Sequence, residues 1–123
     1  MDRKYEPLPI LTEEQIKCIL ESDNLDKLII LPLSIGEYHS DWKYAQDICV
    51  RLAVYPEPSV RANAILGLAY IARTKRQLEK DVVKPIVLKA LRDEKEFQWR
   101  IIDAIDDINI FLNWNIEVNV SSE

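Results

Sequence analysis

At 123 residues, 48% of them apolar, the chain has the length and composition of one domain around one continuous core, not of a disordered segment. Two glycines in the whole sequence argue against turn-rich β architectures and against phosphate-cradling loops, both of which lean on glycine. The net charge of −5 argues against general nucleic-acid binding, which needs a basic footprint; the charge is also segregated, with residues 1–60 at −5, 61–92 at +6 and 93–123 at −6.

The N-terminus, Met1 to Pro7, is charged and no apolar run follows it that would serve as a signal peptide. The longest apolar run, Leu28 to Leu33, is broken by Pro32 and is far short of a membrane span. Thr12-Glu13-Glu14-Gln15 has the form of a capping box and predicts a first helix to about Glu21 with Ile16, Ile19 and Leu20 inward. Ser22-Asp23-Asn24 breaks the chain, and Leu25, Leu28, Ile29 and Leu31 predict a short second helix stopped by Pro32. Residues 32–40, with Gly36 among them, read as a connection. Ser40 or Asp41 caps a third helix to about Val54, whose core stripe is Ala45, Ile48, Cys49, Leu52 and Ala53. Pro58 suits the first turn of a fourth helix, about 59–74, which is apolar nearly all round and is therefore the most buried element; Arg73, Lys75 and Arg76 suit its C-terminal end. Asp81 is the expected N-cap of a fifth helix, which would put Pro85 in its first turn, with Val82, Val83, Ile86, Val87, Ala90 and Leu91 inward. A sixth helix is expected from about Glu94 to Leu112, and residues 115–123 read as a polar tail after a single helical domain over 1–114.

The fourth and sixth predicted helices repeat one another at an offset of 40: Ala64 matches Ala104, Ile65 matches Ile105, Leu68 matches Ile108 and Ile71 matches Phe111. A period of that size built from helix pairs is the sequence signature of a stacked α-solenoid. Residues 81–108, with proline near the start of a helix, a Leu-x-x-x-Leu end, an acidic break and a new amphipathic start, resemble a HEAT-type repeat, as does Ser59 to Ile71. The likeness covers residues 56–112 and extends more weakly over 24–54. Trp99-Arg100 departs from the small or β-branched residue that precedes arginine in such repeats, and Pro32 stands where a helix should continue. The resemblance implies an all-α fold, a short solenoid of about six helices in hairpins, whose purpose is to present a surface to another macromolecule.

Little in the sequence supports catalysis. His39 is the only histidine and sits in a polar stretch that reads as solvent-facing; Cys18 and Cys49 are isolated thiols on apparent core faces, with no histidine nearby in sequence. No Cys/His set has zinc spacing and no glycine pattern fits a nucleotide. Asp103, Asp106 and Asp107 share a helix face, but with no second ligating segment they read as a solvated acidic face and not a metal site. No catalytic, metal-binding or cofactor-binding residue is assigned, and no cofactor is expected.

One surface stands out. On the sixth predicted helix, Phe97, Ile101, Ala104, Ile105, Ile108 and Leu112 form the core side, while Trp99, Asp103, Asp106, Ile110 and Trp114 line the opposite side with Asp107 alongside. Aromatics rimmed by charge are typical of protein-binding hot spots; the competing reading is that the tryptophans cap the last repeat by packing on the N-terminal segment or the tail. Trp42, with Tyr38, Asp41 and Gln46, forms a second candidate surface, or else closes the first inter-helix groove. Lys84, Lys89 and Arg92 face outward on the fifth helix.

In size and charge the chain is similar to bacterial toxin-immunity proteins, including those of contact-dependent growth-inhibition systems. That resemblance implies a cytoplasmic, non-enzymatic inhibitor that captures a basic toxin or nuclease domain, with partner-binding residues Trp99, Asp103, Asp106, Asp107, Ile110, Trp114, Trp42, Asp41 and Tyr38, and with neither nucleic acid nor membrane as partner. Two alternatives stand beside it: an adaptor or assembly factor, including a homodimer through the same tryptophan face, and a lyase or glycosylase of HEAT-like fold.

Overall fold

The computed structural model describes residues 7–118, which form six α-helices and, among the described residues, no strand. The helices are α1 (Glu13–Ser22), α2 (Leu25–Tyr38), α3 (Trp42–Leu52), α4 (Pro58–Lys75), α5 (Lys80–Asp93) and α6 (Gln98–Leu112). The expectations for Met1 to Glu6 and for residues 119–123 lie outside the described residues.

Local chemistry sets most of the boundaries. Thr12 closes the capping box that starts α1: its hydroxyl accepts from Gln15 N–H at 3.1 Å while Gln15 Oε1 accepts from Thr12 N–H at 2.8 Å. Asn24 and Asp41 cap α2 and α3 through their side chains, and Pro58 occupies the first turn of α4. Asp23, Arg76 and Asn113 end α1, α4 and α6 in the left-handed conformation.

Three expected boundaries move. The second helix does not stop at Pro32; α2 runs on to Tyr38, and Pro32 and Gly36 lie buried inside it. Proline removes one backbone donor and disfavours helix at its neighbour, but tertiary packing outweighs that local cost here. The fifth helix begins at Lys80 with Glu79 as N-cap, so Pro85 falls inside the helix and not in its first turn. The sixth helix begins at Gln98; Glu94 instead caps the end of α5, its N–H donating to the Ala90 carbonyl and its carboxylate meeting Arg61.

α4 lies between α2 and α6 and also packs on α3 and α5. Ten of its residues are buried, as its unbroken apolar character predicts. At the crossing with α2 the two backbones approach closely. A Cβ on Gly67 would lie 2.6 Å from the Pro32 carbonyl oxygen and 2.9 Å from Cys49 Sγ; one on Gly36 would lie 2.6 Å from the Gly67 carbonyl oxygen. Both glycines therefore stand in helices because the two backbones nearly touch.

Polar groups stitch the layers. Asn63, buried on α4, donates to the Ile29 carbonyl of α2 at 2.8 Å and accepts from Arg100 of α6 at 2.8 Å. Arg61 makes a two-pronged pair with Glu94 (2.5 and 3.1 Å) and donates to the carbonyls of Tyr55 and Pro56. Gln46 is fully buried: it donates to the Glu79 carboxylate and accepts from the Glu79 N–H, both at 2.7 Å, tying α3 to the start of α5. It is thus a structural residue and not part of a surface.

After α6 the chain turns back. Ile116 is buried, and its N–H and carbonyl pair with the side-chain amide of Asn109 at 2.8 and 3.0 Å, so residues 113–118 pack against the helix they follow.

Gly67→Ala is expected to destabilise the fold by about 2 kcal/mol, although helix propensity alone favours alanine by up to about 1 kcal/mol, because overpacking dominates; urea unfolding measures it, and an unchanged midpoint would contradict the close crossing. Cys49 is buried and desolvation pushes its thiol pKa up, whereas Cys18 is exposed and not on a core face. A thiol reagent at pH 8 should therefore titrate one cysteine in the native protein and two in urea.

Candidate functional site

Helical register places Trp99, Asp103, Asp106 and Ile110 within roughly 60° of arc on α6, along about 16 Å of helix. Ile101, Ala104, Ile105 and Ile108 on the other side are buried against the rest of the molecule, and that burial fixes the rotation of the helix. The outer strip is consequently committed to solvent. Trp99 is 76% exposed and Ile110 66% exposed, the two largest exposed apolar side chains on one helix face, and Asp103 and Asp106 are exposed between them. Asp107 is half-buried at the edge of the strip. Among the described residues, no ion pair involves any of the three aspartates.

Trp114 does not continue this strip. α6 ends at Leu112, Asn113 turns left-handed, and Trp114 lies half-buried against the core cluster. The two tryptophans therefore divide: Trp99 projects outward, and Trp114 packs.

The second sequence-predicted surface also divides. Asp41 spends its carboxylate on the N–H groups of Lys43 and Tyr44, at 3.1 and 3.2 Å, as the cap of α3. Trp42 is half-buried and packs against the core. Tyr38, at the end of α2, remains exposed. His39 is not solvent-facing: its side chain is 12% exposed, stacks on Tyr44 with ring centroids 4.7 Å apart, and accepts from Asp41 N–H at 3.0 Å. Burial and the nearby Glu13 carboxylate push the Tyr44 hydroxyl pKa up.

Charge pairing is concentrated away from α6. Lys43 is raised by its hydrogen bonds to Asp47 and Glu79, and Glu79 is lowered by its bonds from Gln46 and Lys43. Both belong to the α3–α5 junction and hold structure there. Among the described residues, no group of three or more histidine, cysteine or acidic side chains has the geometry to hold a metal ion. Among the described residues, no helix is long and apolar enough to cross a membrane.

A feature that sequence reasoning missed is an open groove of about 1060 Å³ between the segment at Pro9–Leu11, α1 and α2, lined by Leu11, Cys18, Ile19 and Ile30 with Lys17 and Lys27 at its rim. Of these, Cys18 and Ile19 read as core-facing positions in sequence, and the placement of α1 over α2 leaves them lining the groove instead.

No protein-family model matches the sequence, and no curated protein sequence matches it. Among solved structures, the chain is similar to one in the crystal structure of a CDI complex from Cupriavidus taiwanensis LMG 19424. The superposition has a TM-score of 0.78 and covers 89% of this chain and 98% of that one, at 24% sequence identity. The likeness is one of fold.

Trp99→Ala should leave stability within about 0.5 kcal/mol of the parent, as for an exposed side chain without partners, whereas Trp114→Ala should cost more than about 1 kcal/mol. Thermal unfolding of the two variants measures the difference, and equal losses would contradict the assignment of one tryptophan to solvent and the other to the core.

Proposed function

We propose that this protein is a cytoplasmic immunity protein, a non-enzymatic inhibitor that neutralises a cognate toxin of the contact-dependent inhibition type by binding it directly. The observation that carries this reading is the fold: nearly the whole length of a chain found in a CDI complex superimposes on this one. The reading treats the six helices as a short HEAT-like solenoid forming a single domain over 1–114, with α2, α4 and α6 as one row and α3 and α5 as the other. It agrees with α4 packing between α2 and α6 while also contacting α3 and α5.

An inhibitor of this kind needs rigidity, a surface and charge, and no reacting groups. The polar bridges from Asn63, Arg61 and Gln46 supply rigidity, because each joins elements far apart in sequence. The partner-binding set is led by Trp99, Asp103, Asp106 and Ile110, with Asp107 beside them, Trp114 supporting the end of the helix, and Tyr38, Asp41 and Trp42 at the α2–α3 junction as a separate, secondary region. Aspartates that have no ion-pair partner among the described residues raise the encounter rate with a cationic toxin, and the apolar side chains slow its release.

The test is co-expression. The C-terminal domain encoded by the reading frame immediately upstream of this one is induced in a susceptible host with and without this chain. The expected result is growth arrest by that domain alone, rescue when this chain is present, and a stoichiometric complex on size-exclusion chromatography. Arrest that persists in the presence of soluble chain, with no complex formed, would reject the reading.

A further inference from the structure

We propose that the outer face of α6 docks an arginine-bearing basic surface of another protein, with Trp99 stacking a guanidinium that Asp103 pairs and with Ile110 filling an apolar site further along the helix. The inference rests on the inhibitor reading for the partner's role, but its docking chemistry is argued from the face alone.

Trp99 and Asp103 are four residues apart, which puts their Cβ atoms about 6 Å from one another on the same face. A guanidinium lying on the exposed indole, within about 6 Å of its ring, is then within reach of the Asp103 carboxylate. One planar group satisfies both contacts, by stacking and by paired N–H donors; the compact lysine ammonium does neither as well. Trp99 stands near the N-terminal end of α6, where the helix dipole is positive and by itself disfavours a cation. Asp103 and Asp106 reverse that sign, and neither has an ion-pair partner among the described residues. Arg100, three residues before Asp103 on the same helix, is turned inward to Asn63 and stacks on Phe97, and makes no ion pair with either aspartate.

The same charges select against a second copy of this chain. A two-fold pairing of the α6 faces would set aspartates against aspartates, and like charges brought together in an interface disfavour it strongly. The face therefore fits a partner of opposite sign.

Two arms test the proposal. In the first, nitrogen-15 spectra of the full chain are recorded while protamine, an arginine-rich polypeptide, is added, and again with polylysine at equal charge. The indole N–H signal of Trp99, identified with Trp99→Phe, should shift saturably with protamine and the signals of Trp42 and Trp114 should not. Polylysine should bind at least about tenfold more weakly, as should protamine to the Asp103→Asn/Asp106→Asn variant. An unmoved Trp99 signal, or equal response to both polycations, overturns the proposal. In the second arm, binding of the upstream-encoded domain is compared for the parent, Trp99→Ala and Asp103→Asn/Asp106→Asn. Trp99→Ala should speed dissociation by about tenfold or more, and the charge variant should slow association with an effect that shrinks in high salt. If the parent binds that domain and both variants bind it equally well, the docking face is wrong and the inhibitor reading stands. If the parent fails to bind that domain while protamine still shifts Trp99, the inhibitor reading falls and the docking chemistry stands.

Discussion

The backbones of α2 and α4 meet where Pro32, Gly36 and Gly67 come together, and the rest of the molecule is arranged around that contact. Neither glycine has room for a methyl group, and Cys49 of α3 fills the remaining space beside Gly67. Such an approach resolves the local conflict in α2. Pro32 leaves one intrahelical donor missing, and a helix of 14 residues with proline in its middle gains little from propensity. Burial of Leu28, Leu31 and Ile35 against α4 offsets that loss, at about 1.5–3 kcal/mol for each large aliphatic side chain. Asn63 then donates to the Ile29 carbonyl, beside the carbonyl of Leu28 whose usual partner would be residue 32.

From α4 the constraint passes to α6. Asn63 holds Arg100, Arg61 holds Glu94, and the buried row Ile101, Ala104, Ile105 and Ile108 fixes the rotation of the last helix. Each of these contacts is made on the inner side. Their joint effect is to leave Trp99 and Ile110 exposed to water together on the outer face of the helix. A packing constraint at one end of the core thus determines which face of the molecule is available at the other.

Much of this was legible in the amino-acid order. The capping box at Thr12, the cap at Asp41, the proline at the start of α4 and the apolar helix it opens are all encoded within a few residues of where they act. The two faces of α6 followed from a 3.6-residue period, and Trp99 was placed on the outer one by that period alone. Most of what the sequence hides is non-local. Pro32 and Gly36 read as a break because their function is to touch Gly67, some thirty residues away. Gln46 and His39 read as surface residues because their partners, Glu79 and Tyr44, are supplied by the fold. The helical period carries Trp114 onto the outer face only if α6 continues past Asn113, and a single left-handed asparagine leaves little signal in a polar stretch.

Side-chain footprinting reads the outer face of α6, the proposed docking face, directly. Hydroxyl radicals oxidise tryptophan in proportion to its access to solvent, so the free chain should be modified at Trp99 well ahead of Trp42 and Trp114. In complex with the upstream-encoded domain, Trp99 should become protected while Cys18 and Ile30 in the groove beside α1 keep their rate. Protection of that groove with Trp99 still fully reactive would contradict the account.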